Sequence, residues 1–155
     1  MATVRERRPE WRHLPRPRRV VPSGVMIVGI GLDVCEIARI RRNIERYGSR
    51  FMDRLLTPAE RAYCEKRKDL VVPLAGRFAA KEAAIKALGG PPGLKWHDME
   101  VLPAERERPR LLLHGTGARI ARDLGADSFH VTITHDAGVA AAVVILEAEE
   151  RGTEE

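Results

Sequence analysis

The segment Val25 to Asp33 alternates bulky and small residues with a period of two, which predicts a strand. Met26, Val28, Ile30 and Leu32 fall on one face, and Gly29, Gly31 and Asp33 on the other. The period then becomes helical. Ile37, Ile40 and Ile44 form an apolar stripe, and Gly48 stands where a helix C-cap belongs. Thr57-Pro58-Ala59-Glu60 reads as a capping box with proline at the first helical position. A third helix is predicted from about Leu74 to Leu88, stopped by Gly89-Gly90. Beyond the loop Pro91-Pro92-Gly93, Trp96 to Leu102 and Arg110 to His114 read as strands around a charged turn. Thr116 is placed to cap a short helix carrying Ile120 and Leu124 and ended by Gly125. Phe129, Val131, Ile133 and His135 then alternate, Asp136-Ala137-Gly138 supplies a turn, and Val139 to Leu146 returns as a second strand. Helices cluster early and strands late, which predicts an α+β fold, and no internal repeat is visible.

Composition narrows the class. The chain has 155 residues, enough for one compact domain with a short appendage. Hydrophobic residues make up 44%, yet no apolar run is long enough to span a bilayer. The two cysteines, Cys35 and Cys64, show no metal spacing, so a reduced, cytoplasmic chain with two small buried thiols is expected. The net charge of +5 is local: residues 1–24 carry seven arginines against two glutamates. Removing them leaves 20 basic and 20 acidic residues of the original 27 and 22. The high pI therefore describes the tail, and with few aromatics available for stacking the folded body is not expected to bind nucleic acid. The expected organisation is a disordered Arg/Pro-rich tail over 1–24, with Met26 as an alternative start, one domain over 25–147, and a frayed acidic C-terminus over 148–155.

Three places carry candidate chemistry. Asp33 shares its strand face with two glycines, which leaves bare backbone beside a carboxylate and room for a ligand; the plainer alternative is a cap for the following helix. Glu82 lies between Phe78 and Ile85, on the apolar side of its helix. A carboxylate there needs a cation or hydrogen-bond donors, because burying it alone is costly. Lys86 at i+4 would contribute only about 0.2–0.5 kcal/mol as a helical ion pair, too little to explain the placement. His135, at a strand end beside Asp136, suits a base, a phosphate contact or a structural donor.

Gly29-Ile30-Gly31-Leu32-Asp33 with Glu36 and Arg39, Gly76-Arg77-Phe78-Ala79-Ala80-Lys81-Glu82-Ala83 with Lys86-Ala87, and Val131-Thr132-Ile133-Thr134-His135 followed by Ala140 to Ile145 together resemble the motifs of the holo-acyl-carrier-protein synthases. These are the small bacterial 4′-phosphopantetheinyl transferases, and the resemblance covers roughly residues 26 to 147. It implies an antiparallel sheet with helices packed on it, assembled as a homotrimer with active sites at subunit interfaces. It implies transfer of phosphopantetheine from coenzyme A to a serine of an apo acyl carrier protein, releasing 3′,5′-ADP. By the same resemblance Asp33 and Glu82 would be Mg²⁺ ligands, which suits a cation that takes one or two carboxylates plus phosphate oxygens. Arg77, Lys81 and Lys86 would face the anionic groups of coenzyme A, and His135 would reach the nucleotide from a neighbouring subunit.

The base that takes the serine proton stays open among a water on the metal, Glu82 through water, and Asp136. Arg39, Arg42 and Arg46 fall at i, i+3 and i+7, away from the isoleucine stripe. With the resemblance they read as a docking face for an acidic carrier protein, and without it as a solvated face compensated by Glu36 and Glu45. The sequence leaves open whether the carrier serves fatty-acid or polyketide synthesis.

Overall fold

A computed structural model of the chain describes residues 24–103 and 108–149. The tail read over 1–24, apart from Gly24, lies outside the described residues, as does the C-terminus beyond Glu149. Strand β1 (Val25–Glu36) leads into helices α1 (Ile37–Tyr47), α2 (Ser49–Leu55), α3 (Pro58–Glu65) and α4 (Val71–Ala87). A short 3-10 turn (Trp96–Asp98) precedes β2 (Met99–Leu102) and β3 (Arg110–Leu113), followed by α5 (Gly115–Asp123), β4 (Ser128–Asp136) and β5 (Val139–Glu149). The fold is α+β, as the element order predicts.

Three strands form one antiparallel sheet in the order β1-β5-β4, and β2 and β3 pair separately. Helix α4 crosses the inner face of the larger sheet diagonally. Its Gly76 lies against Ile133 of β4, while its Ala83 and Ala87 lie against Gly31 and Gly29 of β1. A Cβ added to Gly31 would stand 1.8 Å from the Ala83 carbonyl oxygen, and one on Gly29 would stand 2.3 Å from that of Ala87. Only glycine lets strand and helix backbones meet this closely. The buried face of α4 is correspondingly small-chained: Ala75, Ala79, Ala80, Ala83, Ala84 and Ala87.

That contact reverses the expected use of β1. The glycines make room for a helix rather than for a ligand, and the bulky face points outward, with Ile30 61%, Leu32 55% and Val34 59% exposed. Val28, at a register shift between Ile27 and Gly29, packs against the core instead of joining that outer face.

Several boundaries also move. α2 is absent from the sequence reading because Gly48 signals a stop; here its φ of 56° closes α1 and opens a second helix at once. α4 begins at Val71, a turn earlier than expected, because Asp69 Oδ1 accepts from the Val71 N–H at 2.9 Å and Pro73 is tolerated in a first turn. Trp96–Asp98 is a turn and not strand, and α5 starts at Gly115 with His114 before it, so Thr116 is not the cap. β5 runs on to Glu149, with Ala148 paired to Met26, so the acidic end is not frayed there. The capping box at Thr57 and Glu60 forms as read.

Replacing Gly31 with Ala should lower stability by about 3 kcal/mol, because the added methyl meets backbone that cannot turn aside. Urea unfolding monitored by circular dichroism checks this, and an unchanged midpoint would refute the close-contact account.

Candidate active site

The strand–helix contact brings the two singular carboxylates together. Asp33 lies two residues beyond Gly31 on the inner face of β1, and Glu82 immediately precedes Ala83. Burial raises the Glu82 pKa above its ordinary value, and the charge of Asp33 raises it further, while Lys86 and Arg39 oppose both effects. Lys86 reaches in from the surface, 52% exposed, and its Nζ donates to Asp33 Oδ1 and to the Leu32 carbonyl, both at 2.9 Å. Asp33 itself is only 17% exposed. Phe78, Glu82 and Ile85 occupy a half-buried flank of α4, beside the deeply buried alanine face.

A carboxylate whose proton affinity is raised by a second carboxylate beside it is a donor set that suits a cation. Among the described residues no group of three or more His, Cys, Asp or Glu side chains forms a protein cage for one. Two carboxylates suit a hard ion that completes its shell with phosphate oxygens and water, as Mg²⁺ does. Cys35, next on the same strand face, has its thiol pushed up to about 11, chiefly by burial, and stays protonated.

A second feature lies toward the β4 edge. A cavity of about 640 Å³ is lined by Tyr63, Arg67, Gly76, Arg77, Ile133 and His135 among others, and it includes neither Asp33 nor Glu82. The Arg77 guanidinium lies 4.1 Å from the centre of the Tyr63 ring, and that of Arg67 lies 4.5 Å from it. Arg77 is 5% exposed and donates to the Pro73 carbonyl, yet its Nε is buried with no partner among the described residues. Such a group is suited to an anion. Tyr63 and Arg67 escaped the sequence reading; the run Lys66-Arg67-Lys68, one helical turn beyond Tyr63, was the available signal. His135, expected to come from a neighbouring subunit, lines the same cavity as Arg77 within one chain.

Lys81 does not face this space or the carboxylates. It is fully buried, with Nζ 2.7 Å from Glu60 Oε2, 2.6 Å from the Leu55 carbonyl and 3.1 Å from that of Trp96. Its place beside Glu82 in sequence turns it to another side of the helix, where the carboxylate of Glu60 meets it. Asp136 is committed to the β4–β5 turn, its Oδ1 accepting from the Ala137 N–H at 2.8 Å, and it is not among the charges that shift Glu82. Arg39, Arg42 and Arg46 are exposed on α1, as their spacing predicts. Arg39 lies 5.6 Å from the centre of the Phe78 ring and contributes charge at Glu82, while Arg42 pairs with Glu36 at 3.5 Å.

The profile of the 4′-phosphopantetheinyl transferase superfamily matches residues 29–143, which takes in most of β1, all of α4 and β4, and the first part of β5. The holo-[acyl-carrier-protein] synthase of Anaeromyxobacter sp. (strain K) is 51% identical over 125 residues, covering 79% of this chain and 97% of that one. The chain belongs to the holo-acyl-carrier-protein synthases. The synthase of Helicobacter pylori, solved in complex with coenzyme A, is 33% identical with a TM-score of 0.66, covering 76% of this chain and 98% of its own. That of Bacillus anthracis, in complex with CoA (3′,5′-ADP), is 36% identical with a TM-score of 0.66 and covers 80% and 99%. As a synthase of this family the chain is a transferase, and no helix among its described residues is long and apolar enough to cross a membrane.

The raised pKa of Glu82 has a consequence for stability. Folded Glu82 holds its proton more tightly than unfolded Glu82, so its ionisation opposes folding as pH rises through the ordinary carboxylate range, and the cost persists at neutral pH. Glu82→Gln should therefore melt slightly above the parent at pH 7 with chelator present and equal to it below about pH 4. Calorimetry at the two pH values checks the sign; a lower Tm at pH 7 would contradict it.

Proposed function

We propose that this synthase transfers 4′-phosphopantetheine from coenzyme A to a serine hydroxyl of an apo acyl carrier protein, with Mg²⁺ as cofactor and 3′,5′-ADP as the second product. The observation that carries this reading is the pairing of Asp33 with Glu82 beside the ammonium of Lys86. The coenzyme A complexes of the two relatives supply the donor.

Asp33 and Glu82 are the residues that would hold Mg²⁺, whose chemistry there is to neutralise phosphate charge. In the reaction the serine oxygen bonds to the β-phosphorus of coenzyme A as the bond from that phosphorus to the bridging oxygen breaks. The leaving 3′,5′-ADP takes the electron pair, and Lys86, long and half exposed, is placed to offset the charge that develops. Glu82 through a water, or a water on the metal, would take the serine proton, since Asp136 is held by the turn. Arg77, Arg67 and His135 around the cavity suit the phosphate-bearing nucleotide end, and the buried, unpartnered Nε of Arg77 supports an anion there.

The carboxylate pair belongs to the β1 edge of the sheet and the cavity to the β4 edge. A head-to-tail ring of copies brings those edges together and covers the outward face of Ile30, Leu32 and Val34. We take the assembly to be a homotrimer acting in the cytoplasm. Arg39, Arg42 and Arg46 face the acidic carrier protein, with Arg39 nearest the chemistry through Phe78 and Glu82.

Mass spectrometry of an apo carrier protein incubated with coenzyme A and Mg²⁺ tests the reading. A phosphopantetheine mass gain is expected with the parent and at least a hundredfold slower gain with Glu82→Gln, by analogy with the loss of other electrostatic groups; no gain with the parent would end the proposal. Arg39→Glu should raise KM for the carrier protein about tenfold, the effect of some 1.4 kcal/mol, while KM for coenzyme A stays put. An unchanged carrier KM would defeat the docking assignment.

A further inference from the structure

Helix α4 presents mostly alanine to its surroundings, and Ala79, Ala80, Ala83, Ala84 and Ala87 are all buried. Such a surface has shallow ridges and grooves, so interdigitating side chains add little to the glycine contacts that bring the helix onto the strand. Yet Glu82 meets Asp33 at one setting. A slip of a single residue turns a helix by about 100° and moves it by about 1.5 Å. Directional contacts are suited to hold the rotation, beside the glycine contacts that set the approach.

The Glu60–Lys81 pair supplies them. Both side chains are 0% exposed and 2.7 Å apart. Lys81 Nζ also donates to the carbonyls of Leu55, at the end of α2, and Trp96, before β2. Glu60 Oε2 accepts from the Thr57 N–H at 2.8 Å and Oε1 from the Val101 N–H at 2.7 Å. One residue of α4 is thereby tied to α2, α3 and β2 on the side away from β1. Burial lowers the Lys81 pKa and Glu60 opposes it, which marks the desolvation that the pair must offset. A fully buried ion pair is weak evidence for stability, because apolar residues of similar volume often serve as well. What such residues lack is direction.

We propose that the Glu60–Lys81 pair is a positioning device that fixes the rotation and height of α4, so that Glu82 faces Asp33, without adding net stability. Its bearing on metal binding rests on the function proposed above; the positioning itself does not. The test is the full chain carrying Glu60→Gln with Lys81→Met, beside Leu74→Ala as a variant that loses core packing on the same helix. Three quantities are read: Tm, the amide resonances of Gly29 and Gly31, which lie against Ala87 and Ala83 and report the helix without metal or substrate, and binding of Mn²⁺ alone by calorimetry.

The double variant should melt within a few degrees of the parent, displace both glycine amides and bind Mn²⁺ at least tenfold more weakly. Leu74→Ala should melt well below the parent and bind Mn²⁺ as the parent does. Failure of the double variant to fold, a loss of Tm matching that of Leu74→Ala, or unmoved glycine amides would overturn the proposal, as would parental Mn²⁺ affinity. A parent that itself binds no Mn²⁺ would defeat the proposed function, and the glycine amides would then decide the positioning by themselves.

Discussion

The backbone-to-backbone contact of Gly29 and Gly31 with Ala87 and Ala83 is the constraint on which the rest depends. Small residues on both partners let a strand and a helix approach more closely than ordinary side chains allow. The approach sets Asp33 near Glu82, because each lies one or two residues from the point of contact. It also fixes which face of β1 turns inward, and so leaves Ile30, Leu32 and Val34 on the outside. A bulky pair at positions 29 and 31 would have given a more conventional core and no carboxylate pair.

What the sequence made legible was mostly local. The capping box at Thr57, the stop at Gly48 and the turn at Asp136-Ala137-Gly138 are chemistry of a few adjacent residues, and each forms as read. Glu82 stood out because a charge on an apolar flank has few explanations. The place of Lys81 is hidden in the sequence because its partner, Glu60, lies 21 residues earlier and is already accounted for as a capping residue, although the Oε2 that accepts from Thr57 also meets Lys81. The face of β1 was misread for a related reason. Alternation shows that two faces differ, but not which of them meets a helix whose own surface is small. Tyr63 and Arg67 gained meaning only when α3, α4 and β4 were brought around one cavity.

Helix α4 connects these parts. Arg77 lines the cavity near β4, Glu82 sits beside β1, and Lys86 lies a further turn along; nine residues of helix from Arg77 to Lys86 span about 13 Å. In the proposed function this rod would hold two parts of an extended substrate at a fixed interval, an anionic group near Arg77 and a metal-bound phosphate near Glu82. Its narrow alanine surface brings it onto the sheet, and the same narrowness is why side chains beyond the hydrophobic core must hold it in place.

Three features of the single chain break the usual rules of folding. One carboxylate raises the proton affinity of another; a guanidinium nitrogen is buried without a partner among the described residues; an apolar strand face lies open to water. Local sequence choices that conflict with stability are expected where function has imposed them. In the function proposed above a cation answers the first conflict, an anion the second and another copy of the chain the third. In that proposal a phosphorylated donor bound with Mg²⁺ between neighbouring subunits answers all three at once.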